Sequence, residues 1–122
     1  MDLQSTVPGL FRNAQSTTEV PEGGVIFSEG DTGSEMYGVV EGQVELRGSA
    51  GVLATLGPGD VFGEMALIAK DPRSATAVAT APTVLAVIDR HRFLFMVQET
   101  PTFALQIMAV MASRIRTSNL AG

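Results

Sequence analysis

Between Thr17 and Leu56 the chain is cut into short apolar runs by turns that contain glycine. The turns are Pro21-Glu22-Gly23-Gly24, Glu29-Gly30-Asp31-Thr32-Gly33, Glu41-Gly42 and Gly48-Ser49-Ala50-Gly51. A helix needs roughly 12–15 residues to persist by itself, and no run between these turns is that long. The runs therefore read as strands: Thr17 to Val20, Val25 to Ser28, Met36 to Val40, Gln43 to Arg47 and Val52 to Leu56. In the fourth, Val44 and Leu46 alternate with polar residues, the period of a half-buried strand. Ser74 to Thr80 and Thr83 to Asp89 add two more around the Ala81-Pro82 turn. Many short strands joined by tight turns predict a sandwich or barrel that is mainly β. No repeat of 20–50 residues is visible.

The strand pattern stops at Asp89, a good helix N-cap, and Arg90 to Glu99 is predicted helical. Thr100-Pro101 restarts the chain, because proline fits the first turn of a helix. The next helix is expected from about Pro101 to Arg116. Phe103, Ile107, Met111 and Ile115 recur every four residues and form one apolar face, widened by Met108 and Val110. Arg114 and Arg116 suit the negative C-terminal end of the helix dipole. Near the start, Pro8 to Asn13 suits a short helical turn that buries Leu10 and Phe11.

Composition narrows the function. A chain of 122 residues with 45% hydrophobic residues is one domain with a true core. There is no cysteine and one histidine, His91, so thiolate and multi-histidine metal sites are excluded. The net charge of −5, from 8 basic and 13 acidic residues, disfavours bulk binding to nucleic acid or anionic membranes. No apolar run reaches the roughly 18 residues of a transmembrane span. The first ten residues lack a basic start and an apolar stretch, so no secretory signal is read there and a cytoplasmic location is expected. No nucleophile and base pair is recognisable, so the chain is not expected to be an enzyme.

One stretch is organised for chemistry. After the turn Gly57 to Asp60 come Phe62, Gly63, Glu64, Met65 and Ala66, a short apolar run, the polar loop Lys70-Asp71-Pro72, and then Arg73, Ser74 and Ala75. Glycine at 63 permits a close approach of backbone to a ligand. A helix opening after it would aim unpaired N–H groups at an anion. Arg73 supplies a planar, permanently charged fork suited to a phosphate. Glu64 is an acceptor suited to a hydroxyl. An anionic group plus a hydroxyl is what a ribose phosphate presents.

These residues resemble the phosphate-binding cassette of cyclic nucleotide-binding domains, the modules of catabolite activator protein, protein kinase A regulatory subunits and cyclic nucleotide-gated channels. The family pattern is Phe-Gly-Glu, a small residue two places on, and later Arg followed by two small residues. Here it is matched by Phe62-Gly63-Glu64-Met65-Ala66 and Arg73-Ser74-Ala75. The resemblance implies an antiparallel jelly roll with a short N-terminal helix, a cassette helix and two C-terminal helices, spanning residues 7–118 with flexible ends at 1–6 and 119–122. It implies that Glu64 and the Gly63 N–H hold the ribose 2′-hydroxyl. Arg73 and N–H groups near Ala66 and Ser74 would hold the cyclic phosphate.

The expected ligand is cyclic AMP, with cyclic GMP possible, and no cofactor or metal is expected. A protein effector is expected, either separate or in a longer chain. DNA binding is not, because the helix-turn-helix of the family's transcription factors would begin about where this sequence stops. Tyr37, Gly30, Gly33 and Gly42 read as scaffold. Two alternatives remain: a jelly-roll interaction domain with a vestigial pocket, and a small cupin-type enzyme, which a single histidine argues against.

Overall fold

The computed structural model describes residues 16–121, with side chains through 113. The helical turn expected at Pro8 to Asn13 and the side chains of Arg114, Ile115 and Arg116 lie outside these residues. The strands are β1 (Thr17–Val20), β2 (Val25–Phe27), β3 (Met36–Glu41), β4 (Val44–Gly48), β5 (Gly51–Leu56), β6 (Val61–Phe62), β7 (Thr76–Ala79) and β8 (Thr83–Ile88). They form two four-stranded sheets with antiparallel pairings, in the orders β1-β8-β3-β6 and β2-β7-β4-β5. Both sheets interleave strands distant in sequence, as a jelly roll does.

The two sheets differ in what covers them. Val39, Phe62 and Leu85 of the first sheet meet Val44, Leu46 and Ala77 of the second in one buried cluster between the sheets. Met36, Val61, Ala86 and Ile88 lie on the other face of the first sheet and pack against helices. Adjacent residues in a strand point to opposite faces, so Val61 joins one cluster and Phe62 the other. That is why β3 and β8 read as nearly continuous apolar runs, MYGVV and TVLAVI. The second sheet has one covered face, which explains the alternation in β4. Val44 and Leu46 are buried there, while Glu45 and Arg47 pair with each other at 2.9 Å.

Three helices form; the last runs to Ala121, five residues beyond the end expected at Arg116, and one side chain faces the other way. They are α1 (Glu64–Ile68), α2 (Arg90–Glu99) and α3 (Thr102–Ala121). Asp89 caps α2, its carboxylate accepting a hydrogen bond from the Arg92 N–H at 2.8 Å. Phe103 and Ile107 of α3 are buried with Met96 of α2 and Leu67 of α1 against the first sheet, and Met111 packs at their edge. Met108, expected to widen that face, is 61% exposed. Five positions beyond Phe103 is about 140° around a 3.6-residue helix, so Met108 points away. Among the described residues no single helix is long and apolar enough to cross a membrane.

Candidate functional site

The stretch 62–75 builds the site in three steps. First, β6 pairs with Tyr37 and Gly38 of β3 and delivers Phe62 to the core. Phe62 stacks on Tyr37 with ring centroids 5.4 Å apart. Second, the chain turns at Gly63, whose φ of 80° and ψ of 11° lie in the left-handed region, and α1 begins. Glycine is needed here twice over: for the positive φ, and because a Cβ would lie 2.7 Å from Nη1 of Arg73. Third, α1 ends at Ala69, Lys70 takes a left-handed φ of 59°, and the loop returns the chain to Arg73.

Arg73 is 6% exposed, and its backbone is clasped by the turn after β2. Its N–H donates to Asp31 O at 2.8 Å, and its carbonyl accepts from the Gly30 N–H at 2.8 Å. The guanidinium donates from Nη1 to Gly63 O at 3.0 Å and from Nη2 to Glu35 O at 2.8 Å. Its central carbon lies 4.2 Å from the centroid of the Phe27 ring and 5.8 Å from that of Tyr37. A guanidinium carries five N–H donors, and these bonds use two. Nε is buried and has no hydrogen-bond partner among the described residues.

Beside Arg73 opens a small cleft of about 30 Å³. Gly63, Met65, Ala66, Arg73, Ser74 and Ala75 line it, together with Phe27, Leu46 and Pro72. Six of the eight candidate residues thus come together on one wall. Phe62 and Glu64 do not line the cleft; both are completely buried. Phe62 faces the inter-sheet core, as its position in β6 requires. Glu64 opens α1 within the buried interior.

Sequence reasoning overlooked Phe27, Gly33 and Glu35 as neighbours of Arg73. Phe27 looks like any apolar strand residue, and the other two lie in an ordinary turn. Tyr37, read as scaffold, stacks in the core and also lies beside the guanidinium. Burial, and secondarily the carboxylate of Glu35, push the Tyr37 phenol above its ordinary pKa of 10.0, while Arg73 pulls it back. A second, larger cleft is lined by Ser16, Glu35, Val87, Asp89, His91, Arg92 and Phe95, and contains none of the candidate residues. Among the described residues no cluster of three His, Cys, Asp or Glu side chains could hold a metal ion.

The comparison with known sequences decides the family. The profile of the cyclic nucleotide-binding domain matches residues 17–100. The chain belongs to the cyclic nucleotide-binding domain family. It is 39% identical over 105 residues to the cyclic AMP receptor protein of Thermus thermophilus, a match covering 82% of this chain and 49% of that protein. The crystal structure of Thermus thermophilus catabolite activator protein superposes with a TM-score of 0.76 at 34% identity, covering 98% of this chain and 56% of that one. A structure from work on a cyclic-GMP-dependent signalling pathway that regulates bacterial phytopathogenesis also superposes at 0.76. Its identity is 27%, covering 95% of this chain and 94% of that one. The chain spans about half the length of the curated bacterial regulators it matches. The fold is therefore the antiparallel, helix-flanked one expected of this family, and the domain is a regulatory, nucleotide-binding one.

Proposed function

We propose that this chain, as a folded unit of residues 7–118, senses cyclic AMP at the cassette and signals through movement of α2 and α3. The observation that carries the proposal is Arg73. Two carbonyls accept from its guanidinium, Nε is buried with no hydrogen-bond partner among the described residues, and the residue lines a cleft. Leaving a charged donor unsatisfied costs about 1–3 kcal/mol or more, which an anion in the cleft would relieve. A cyclic phosphate has one negative charge and fits a single arginine without a metal. The N–H groups near Ala66 and Ser74 supply further donors.

Glu64 takes the ribose 2′-hydroxyl in this scheme. The side chain is fully buried and does not line the cleft, so this contact requires a rearrangement around α1 as the sugar enters. The effector is a separate protein or a further domain, and a regulator answering this messenger acts in the cytoplasm. Cyclic GMP is the second reading. It is favoured by the exposed Ser74 in the cleft, since a hydroxyl after the cassette arginine helps hold guanine in relatives that prefer cyclic GMP. Serine lacks the methyl group of the threonine usual there, so cyclic AMP is preferred with modest discrimination.

Titration calorimetry with cyclic AMP, cyclic GMP and linear AMP tests both readings. Cyclic AMP is expected to bind best and linear AMP worst. A clear preference for cyclic GMP selects the second reading. Binding of neither cyclic nucleotide leaves an interaction domain with a vestigial pocket.

A further inference from the structure

We infer that Phe27 and Gly33 are the residues that position the Arg73 guanidinium, and that they set the affinity of the cassette without belonging to its motif. The inference rests on the proposed role of Arg73 as the phosphate ligand. Two hydrogen bonds hold the tip of Arg73, but both run to carbonyls, and each leaves the fork free to tilt about its bond. The face of the guanidinium needs its own support. Phe27 provides it, with its ring centroid 4.2 Å from the carbon of a guanidinium that is itself buried, and attraction between a cation and an aromatic face strengthens as the pair loses water. The ring is itself fixed: it lies 5.9 Å from Phe62 and 6.1 Å from Tyr37, centroid to centroid.

Gly33 acts by what it lacks. A Cβ there would meet Nη2 of Arg73 and come within 2.7 Å of its central carbon and of Nε. Real Cβ atoms do not approach so closely, so any side chain at 33 must push the guanidinium aside. Unlike Gly30, at φ 89°, Gly33 has no positive φ, so alanine would be tolerated by the backbone and rejected only by Arg73. Gly30→Ala is the converse control, since its Cβ would meet nothing within 4 Å. Phe27 therefore supports the guanidinium and Gly33 leaves room for it beside the cleft.

The test combines two measurements on the whole chain. In the first, cyclic AMP binding is titrated for Phe27→Leu, Phe27→Tyr and Gly33→Ala, and for Phe27→Leu in the Arg73→Gln background. Phe27→Leu keeps apolar bulk but removes the ring, and affinity is expected to fall by about tenfold. Phe27→Tyr restores the ring and is expected to bind within about threefold of the natural chain. Gly33→Ala is expected to weaken binding more than Gly30→Ala does. In the Arg73→Gln background, Phe27→Leu is expected to change affinity by less than about twofold. An equal loss in both backgrounds means that Phe27 acts on the ligand or the fold directly, and overturns the inference. So does a leucine variant that binds as well as the tyrosine one.

The second measurement needs no ligand. Thermal unfolding of Phe27→Leu, Arg73→Gln and the double variant reports whether the two side chains are coupled in the folded state. Non-additive shifts in melting temperature support the pairing, and additive shifts overturn it. If neither cyclic nucleotide binds the natural chain, the functional proposal fails on its own terms, and the unfolding cycle still decides for or against Phe27 as the support of Arg73.

Discussion

Nη2 of Arg73 donates to the main-chain carbonyl of Glu35 at 2.8 Å, joining the end of the cassette to the start of β3. The bond means that the group expected to touch phosphate is also a structural bridge. Replacing it has two consequences, and they can be measured separately.

Arg73→Ala is expected to lower affinity for the cyclic nucleotide by roughly a hundredfold or more, the loss of two charge-assisted bonds of ~1.5–3 kcal/mol each. It also strips the Gly63 and Glu35 carbonyls of their donor. The melting temperature without ligand should therefore fall by several degrees, at roughly 4 °C per kcal/mol for a domain of this size. Arg73→Lys should restore little of either, because an ammonium cannot reach both carbonyls and a ligand with a planar fork. Unchanged affinity in Arg73→Ala would remove Arg73 from the binding site.

The sugar contact is tested with the ligand. If Glu64 accepts from the 2′-hydroxyl, 2′-deoxy cyclic AMP should bind the natural chain about tenfold or more weakly, the scale of a hydrogen bond to a charged group. Glu64→Gln should shrink that penalty. Because Glu64 is completely buried, calorimetry must be accompanied by an unfolding curve for the variant. Equal affinity of the natural chain for both sugars would show that Glu64 serves the fold alone.

Tyr37 offers an intrinsic probe, as the single tyrosine in a chain without tryptophan. Its phenol is held above the ordinary 10.0 by burial and then by Glu35. The folded state therefore binds the phenolic proton more tightly than the unfolded state. By linkage this stabilisation is fully present below pH 10, and is lost as pH rises from there through the folded-state value. An absorbance titration should place the folded midpoint above that of the protein in denaturant. Tyr37→Phe should flatten the alkaline limb of the stability curve. Coincident midpoints in the two states would contradict the geometry around the ring.

The output is tested by amide exchange. Helices α2 and α3 meet at Thr100-Pro101 with a bend of 119°, so few residues need rotate to reorient them. Saturating cyclic AMP is expected to change exchange most across 89–116 and in the cassette, and little across 17–56. The shift can be no larger than the difference in affinity between the two states, about 1.4 kcal/mol for a tenfold difference. Truncation from Phe103 is a poorer test than the sequence suggests. Phe103 and Ile107 are core residues beside Met36 and Ile88, and removing them destabilises the fold as well as the switch. Identical exchange with and without ligand would make the helices fixed scaffold.

The sequence by itself determined whatever neighbouring residues decide among themselves. Asp89 caps the helix that begins at the next residue, so α2 falls at Arg90–Glu99 as the pattern predicts. Glycine turns must break strands, and the alternation at Val44 and Leu46 must mark a one-sided sheet. The cassette motif was legible because its residues are close together in the chain. The two-residue strand β6 was not, since two residues carry no period, and pairing with β3 alone makes it a strand. Met108 was misplaced because a widening apolar stripe and an exposed methionine look alike until the helix is docked. Only the tertiary structure decided what surrounds Arg73. Phe27 arrives on β2, Gly33 from the following turn and Glu35 from the approach to β3, and the pairing of β2 with β7 and of β3 with β6 brings them to one point. Strand register across a sheet is a long-range relation, fixed by how two faces fill with side chains, and local spacing contains no record of it.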